Sequence, residues 1–211
     1  MTGRPRLLLP AAAGLLVLGA LAFAILAGSG ANGPGPGTQA SSAAAGAFDG
    51  AALPAGVPAP LFTLSDQNGR PLSLSSLRGR VLVIAFPYTA CRDSCRVIAQ
   101  QIRGALDELP EPPAVLLISA DPAADTPVSV RRFLEGVSLT GRASYLTGSP
   151  AELRRVWRAY HVTPASAGAA AYAKYATVLV VDGLGNERVL YGPEQLTPEA
   201  LAHDIRKLES G

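Results

Sequence analysis

The chain has 211 residues, enough for one ordinary domain with an appendage. Hydrophobic residues make up 48% and charged residues 16%, a balance that excludes intrinsic disorder of the whole chain. The 18 basic and 16 acidic residues give a net charge of +2, which is too even for a nucleic-acid-binding protein.

The first predicted element is an apolar run over residues 7–28, preceded by Arg4 and Arg6. At a rise of about 1.5 Å per residue, this run can cross a hydrocarbon core of about 30 Å. We therefore predict a cytoplasmic stub and transmembrane anchor over residues 1–28, with a cleaved signal peptide as the alternative. Asp49 is the first acidic residue, so the positive-inside rule places the N-terminus in the cytoplasm. The folded domain would then lie outside the cell membrane, where disulfides persist.

Residues 29–59 consist largely of Gly, Ala, Pro and Ser. Such a composition offers little apolar surface to offset the entropy of ordering, so we predict a flexible linker. The folded domain is then expected over residues 60–211.

The first half of this domain begins with a predicted hairpin around the turn residues 66–69. A continuous apolar run over 81–86 predicts a strand buried on both faces. Helical spacing of apolar residues follows over about 97–109, and residues 114–119 predict a second buried strand.

The second half alternates helices and strands before it closes with a hairpin and a helix. Hydroxyl residues followed by proline predict three helix starts, at Thr126, Ser149 and Thr197. The predicted strands are 143–146, 177–181 and 188–191. This order predicts an α/β fold, a thioredoxin-like sandwich with an N-terminal hairpin extension.

The two cysteines of the chain, Cys91 and Cys95, come directly after the 81–86 strand and at the start of a helix. The strand starting near residue 177 is expected to run antiparallel, which places Lys174 at the same edge of the sheet. Helix amides and the cations Arg92 and Arg96 favour a thiolate, whereas Asp93 opposes it. A thiolate both exchanges disulfides and binds soft metal ions such as Cu(I).

A purely structural disulfide is the alternative for this pair. A crosslink that closes a loop of about five residues removes little chain entropy, about 2 kcal/mol, against nearly 5 kcal/mol for a loop of about a hundred. A disulfide between these two residues would therefore add little to the stability of the fold. The three-residue gap also exceeds the two-residue gap usual in thioredoxin-like exchange motifs, and it leaves room for a cation.

Several motifs of the domain together resemble the Sco/SenC family, and the resemblance covers about residues 60–209. In chain order they are Phe62-x-Leu64-x-Asp66-Gln67-x-Gly69, Ser73-Leu74-x-x-Leu77-x-Gly79, Tyr88-Thr89-x-Cys91-x-x-x-Cys95, Ile118-Ser119-x-Asp121-Pro122-x-x-Asp125-Thr126-Pro127 and Val181-Asp182-x-x-Gly185.

This resemblance implies a membrane-tethered thioredoxin-fold protein that delivers copper to the binuclear copper centre of cytochrome c oxidase, or that maintains its thiols. Cys91 and Cys95 would cycle between dithiol and disulfide and hold the copper. The implied partner is the oxidase subunit that carries this centre. There are two alternatives. The first is an exported thiol-disulfide oxidoreductase without copper, which acts on another exported thiol protein. The second is a binding module with a static disulfide.

The family's third copper ligand is a histidine eight residues before the Asp of the Asp-x-x-Gly turn, and here that position is Lys174. A protonated ammonium cannot ligate a metal ion, and its charge opposes a nearby cation. His161, after the 150–160 helix, is a candidate substitute, and His203 in the last helix is a weaker one. Lys174, Arg92 and Arg96 are also expected to modulate the thiols.

Overall fold

A computed structural model of the protein describes residues 47–91, 93–168, 170, 172 and 176–210. The predicted anchor, most of the predicted linker, Arg92 and Lys174 lie outside the described residues. Within the described part of the chain, no helix is both long enough and apolar enough to span a membrane.

The secondary structure follows the predicted order of elements. The strands are β1 (Ala51–Ala52), β2 (Thr63–Ser65), β3 (Pro71–Ser73), β4 (Leu82–Ala85), β5 (Ala114–Ile118), β6 (Ser144–Leu146), β7 (Val178–Val181) and β8 (Glu187–Tyr191). The α-helices are α1 (Ser94–Asp107), α2 (Pro127–Gly136), α3 (Pro150–Ala159) and α4 (Pro198–Glu209). Short 3-10 turns occupy Leu74–Leu77 and Ala165–Ala167.

One sheet organises the domain, with the strand order β1-β8-β7-β4-β5-β6. β4 is its centre and pairs in parallel with β5 and antiparallel with β7, as the sequence predicts. Since Ala85 lies opposite Val178, the chain that leads into β7 reaches the same edge as the end of β4. β2 and β3 form the predicted hairpin beside this sheet.

The sheet separates two apolar layers, which makes the domain a sandwich. Alternate side chains of β4 point to opposite faces. Val83 belongs to the layer formed with α1, α2 and α4, and Ile84 belongs to the layer formed with α3 and the N-terminal hairpin. All four residues of β4 are buried, which explains why its sequence is a continuous apolar run and not an alternating one.

Three helices begin as predicted. The side chains of Thr126, Ser149 and Thr197 each accept a hydrogen bond from a backbone amide in the first helical turn, and each is followed by a proline. Proline fits this position because the first amides of a helix have no partner within the helix.

Residues 47–59, part of the segment predicted as a linker, contact the rest of the domain. β1 adds to the edge of the sheet beside β8, and the amides of Asp49 and Gly50 donate to the buried carboxylate of Asp204. A Cβ at Gly50 would stand 2.5 Å from the side chain of Val189, so this close approach requires glycine. Phe48 and Leu53 also pack against the two apolar layers, but composition did not reveal this docking because backbone amides make part of the contacts.

We expect the replacement Ile205→Ala to lower the free energy of unfolding by about 2–5 kcal/mol. Ile205 is fully buried in α4, so truncation removes apolar contacts and leaves a cavity. Val128→Ala is the matched control, since Val128 is 52% exposed on α2 and should change stability by less than about 0.5 kcal/mol. Urea unfolding of both variants in the oxidised state measures the difference. Equal losses would contradict this assignment of the core.

Candidate functional site

Cys91 and Cys95 lie together at the end of β4, where a loop leads into α1. They form a disulfide with a Cα–Cα distance of 5.7 Å. Cys91 is 6% exposed and Cys95 is 1% exposed, so the pair is covered in this conformation. The structure thus brings together the two residues that the sequence singled out.

The start of α1 surrounds the Cys91 sulfur with donors. The backbone amide of Cys95 donates to Cys91 Sγ at 3.1 Å, and the Ser94 hydroxyl lies 3.4 Å from the same sulfur. Amides at a helix N-terminus carry partial positive charge and favour an anion. After reduction, the same groups would stabilise a thiolate at Cys91.

A buried carboxylate holds the loop that carries the cysteines. Asp125, 7% exposed, accepts hydrogen bonds from the Thr89 amide at 2.7 Å and the Ser119 hydroxyl at 2.6 Å. The Tyr145 hydroxyl also donates to it, at 2.8 Å. Burial and the neighbouring Asp125 charge raise the pKa of Tyr145 well above its usual value, so this hydroxyl keeps the proton that it donates.

Further hydrogen bonds join the same loop to the segment that follows β5. The Thr89 hydroxyl donates to the Ala124 carbonyl at 3.0 Å, and the Ala120 amide donates to the Pro87 carbonyl at 2.9 Å. The loop is therefore held along its length and does not depend on the disulfide alone for its position.

Tyr172 covers the second cysteine. Its hydroxyl donates to the Phe86 carbonyl and lies 3.5 Å from Cys95 Sγ. A carbonyl can only accept, so the hydroxyl turns its oxygen lone pairs toward the sulfur. Burial, with smaller contributions from Tyr88 and Asp125, raises the pKa of Tyr172 above its ordinary value. The Tyr88 ring packs edge-on against the Tyr172 ring at 4.9 Å between centroids, completing an aromatic cover.

Neither Tyr172 nor the role of Asp125 is evident from the sequence. Tyr172 precedes Lys174 by two residues in a segment rich in alanine. Its closeness in sequence to Lys174, which is predicted at the cysteine edge, was the one available signal that Tyr172 lies near the cysteines. Asp125 stands in an Asp-x-Pro context, which is typical of a turn or cap, whereas its carboxylate is a buried acceptor for two other elements.

The remaining predicted site residues are not all described. Arg92 and Lys174 lie outside the described residues, so their influence on the thiols stays a prediction. The Arg96 guanidinium lies beside α2, where a Cβ on Gly136 would be 3.1 Å from its nitrogen.

His161 follows α3 in a left-handed conformation, with φ of 54°. It lines a groove of about 490 Å³ together with Phe86, Tyr160 and Glu187. Burial raises the pKa of Glu187, and His161 opposes that rise. No cysteine is among the described residues that line this groove. A copper-ligating role for His161 therefore stays a prediction.

Comparison with known proteins identifies one family. The family model described as SCO1/SenC matches residues 54–210. A putative copper-binding protein of Stutzerimonas stutzeri is 36% identical over 106 residues, which are 47% of this chain and 50% of that protein. The mitochondrial protein SCO2 of Saccharomyces cerevisiae is 29% identical over 107 residues, 48% of this chain and 34% of that protein. The chain thus spans half or less of the length of these relatives.

Solved structures show the same fold. Apo Sco1 of Thermus thermophilus is 25% identical, with a TM-score of 0.63 over 78% of this chain and 99% of that one. Copper-bound ScoI of Bradyrhizobium japonicum is 27% identical, with a TM-score of 0.54 over 72% of this chain and 99% of that one. The thioredoxin-like α/β sandwich predicted from the sequence is confirmed.

We expect Asp125→Asn to lower the free energy of unfolding by about 2–3 kcal/mol. The amide group of asparagine would replace a carboxylate oxygen and face donors that need an acceptor. Asp121→Asn is the control, because among the described residues the Asp121 side chain accepts only from amides of its own turn, as from Ala123 at 3.1 Å. Urea unfolding at neutral pH compares the two variants. Equal losses would show that Asp125 has no special role in holding the cysteine loop.

Proposed function

The chain belongs to the SCO1/SenC family, and we propose that it handles copper for the binuclear copper centre of cytochrome c oxidase, or maintains the thiols of that centre, through Cys91 and Cys95. The observation that carries the proposal is the buried cysteine pair at the start of α1, in a loop held by Asp125. The family membership supplies the class of partner, an oxidase subunit.

The reduced cysteine pair suits copper as cargo. Two thiolates supply soft ligands, which select Cu(I) over harder divalent ions. The helix N-terminus and the Ser94 hydroxyl favour the charged form of Cys91 that such binding requires. Two relatives support copper handling by their names, the putative copper-binding protein and the copper-bound ScoI.

The third ligand position is where this chain departs from the resemblance. Lys174 stands where the family's histidine is expected, and a protonated lysine offers no lone pair to a metal ion. Two sulfurs with solvent or an exchangeable ligand would then hold copper weakly enough to pass it on.

The same pair supports two-electron thiol exchange. A Cys91 thiolate attacks a partner's disulfide and forms a mixed disulfide, and one partner sulfur leaves as a thiolate that takes up a proton. The Cys95 thiol loses its proton and attacks Cys91 Sγ, which releases the second partner sulfur. The partner gains two electrons and two protons, and the Cys91–Cys95 disulfide forms again.

Thiol exchange without copper is the second candidate function. Lys174 favours it, because a lysine in the place of the usual histidine removes a ligand and adds a cation that stabilises a thiolate. The partner would then be another exported thiol protein.

Attachment to the cell membrane is part of the proposal. The uncharged run over residues 7–28, with Arg4 and Arg6 before it, supports a single span with a cytoplasmic N-terminus. The cysteine domain would act on the extracytoplasmic side, joined to the anchor by the linker.

A Cu(I) titration separates the two candidate functions. We expect the reduced full-length chain to bind Cu(I) in competition with a chromophoric chelator and to lose this binding in Cys91→Ser. Lys174→His should tighten binding by about tenfold or more, because it adds a neutral imidazole and removes a cation.

Arg154→His, on the exposed side of α3, is the matched control and should leave Cu(I) affinity unchanged. No binding by the native chain, with binding restored by Lys174→His, would reject copper handling and leave the oxidoreductase.

Trapping of mixed disulfides tests the exchange roles. We expect Cys95→Ser to accumulate a mixed disulfide on Cys91 when mixed with glutathione disulfide, whereas Cys91→Ser should react slowly. The reason is that Cys95 is 1% exposed and lies under Tyr172, while Cys91 Sγ faces the helix amides. Mass spectrometry of the quenched reaction measures the adducts. Faster reaction at Cys95 would reverse the assigned roles.

A further inference from the structure

A second group of metal-ligating side chains lies away from the cysteines, where the N-terminal segment meets α4. Asp49, His203 and Asp204 each offer one ligand atom, and these atoms lie within 4.8 Å of one another. His203 Nδ1 is 2.9 Å from Asp204 Oδ1 and 3.2 Å from Asp49 Oδ2. The proposed function uses none of these three residues.

Asp204 is fixed in position before any ion binds. It is fully buried, and its Oδ2 accepts hydrogen bonds from the Gly50 amide and the Tyr191 hydroxyl. The Asp49 amide donates to Oδ1 at 2.9 Å. Hydrogen bonds of this kind orient the ligands of a metal site.

Asp49 and His203 leave the cluster open to solvent. Their side chains are 52% and 48% exposed, so water can fill further coordination positions. Two carboxylate oxygens converge on one ring nitrogen, and a single N–H cannot align with both. Two cations of this region, Lys207 and Arg188, lie over the Phe48 ring, at 4.8 Å and 5.7 Å from its centroid.

We propose that Asp49, His203 and Asp204 bind one divalent transition-metal ion, with Cu²⁺ bound most tightly. An imidazole nitrogen and carboxylate oxygens suit borderline divalent ions, and copper has the highest affinity for such ligands among the first-row divalent metals. The ion would take the place of the proton on Nδ1 and join Asp49 to α4. The site works with the cysteines in their disulfide, so it differs from the thiol site in both ligands and oxidation state of copper.

The histidine content of the chain makes the test specific. The chain has two histidines, so His161→Ala is a matched control for His203→Ala. The full-length chain is kept oxidised, which excludes the thiols, and copper(II) sulfate is titrated in a non-coordinating buffer at neutral pH. Electron paramagnetic resonance detects bound Cu²⁺ and its nitrogen ligand, and competition with glycine gives the affinity.

We expect one equivalent of Cu²⁺ with a single imidazole nitrogen in the native chain and in His161→Ala. His203→Ala should weaken binding by about tenfold or more and remove the nitrogen signal. Asp49→Asn, at a half-exposed side chain, should also weaken binding, and it decides the matter if His203→Ala does not fold. Native affinity in Asp49→Asn, or loss of the signal in His161→Ala, would overturn the proposal, as would no binding by the native chain.

Failure of this test leaves the proposed function in place, because the thiol site is measured separately with Cu(I) and reduced protein. Conversely, loss of Cu(I) binding in the thiol variants would leave a Cu²⁺ site at His203 unaffected.

Discussion

The buried carboxylate of Asp125 connects the elements on which the thiol site depends. It accepts from the Thr89 amide in the cysteine loop, from Ser119 after β5 and from Tyr145 in β6. An ionised carboxylate is stable inside a protein only when hydrogen bonds replace its lost hydration. These hydrogen bonds therefore hold the loop against the sheet. The position of the loop in turn determines where Cys91 and Cys95 lie.

Asp204 has a similar role at the N-terminal end of the domain, where it is a buried carboxylate that accepts hydrogen bonds from other segments. Its buried charge is offset by the amides of Asp49 and Gly50 and by the Tyr191 hydroxyl. These bonds add to the apolar contacts that Phe48 and Leu53 make with the two layers of the domain. Both carboxylates thus help to hold a segment of the chain against the rest of the domain, and each does so beside a group of candidate metal-binding side chains.

Much of the fold could be predicted because it rests on local signals. The apolar run before Cys91 is β4, and the residues Thr126, Ser149 and Thr197 cap helices as their sequence context indicates. The antiparallel return of β7 to the cysteine edge also follows from element order. Residues 47–59 could not be assigned in this way, because their docking relies in part on backbone amides that donate to a distant carboxylate, which composition does not register.

The sequence by itself determined the sandwich fold and the family resemblance, and it singled out Cys91 and Cys95 as the candidate site, because periodicity, caps and motif spacing are local properties of the chain. Only the tertiary structure placed Tyr172 over Cys95 and brought Asp49 to His203 and Asp204. Tyr172 and Cys95 are 77 residues apart, and Asp49 and Asp204 are 155 apart. Contacts at such separations depend on strand order and helix packing, so no local pattern could have specified them.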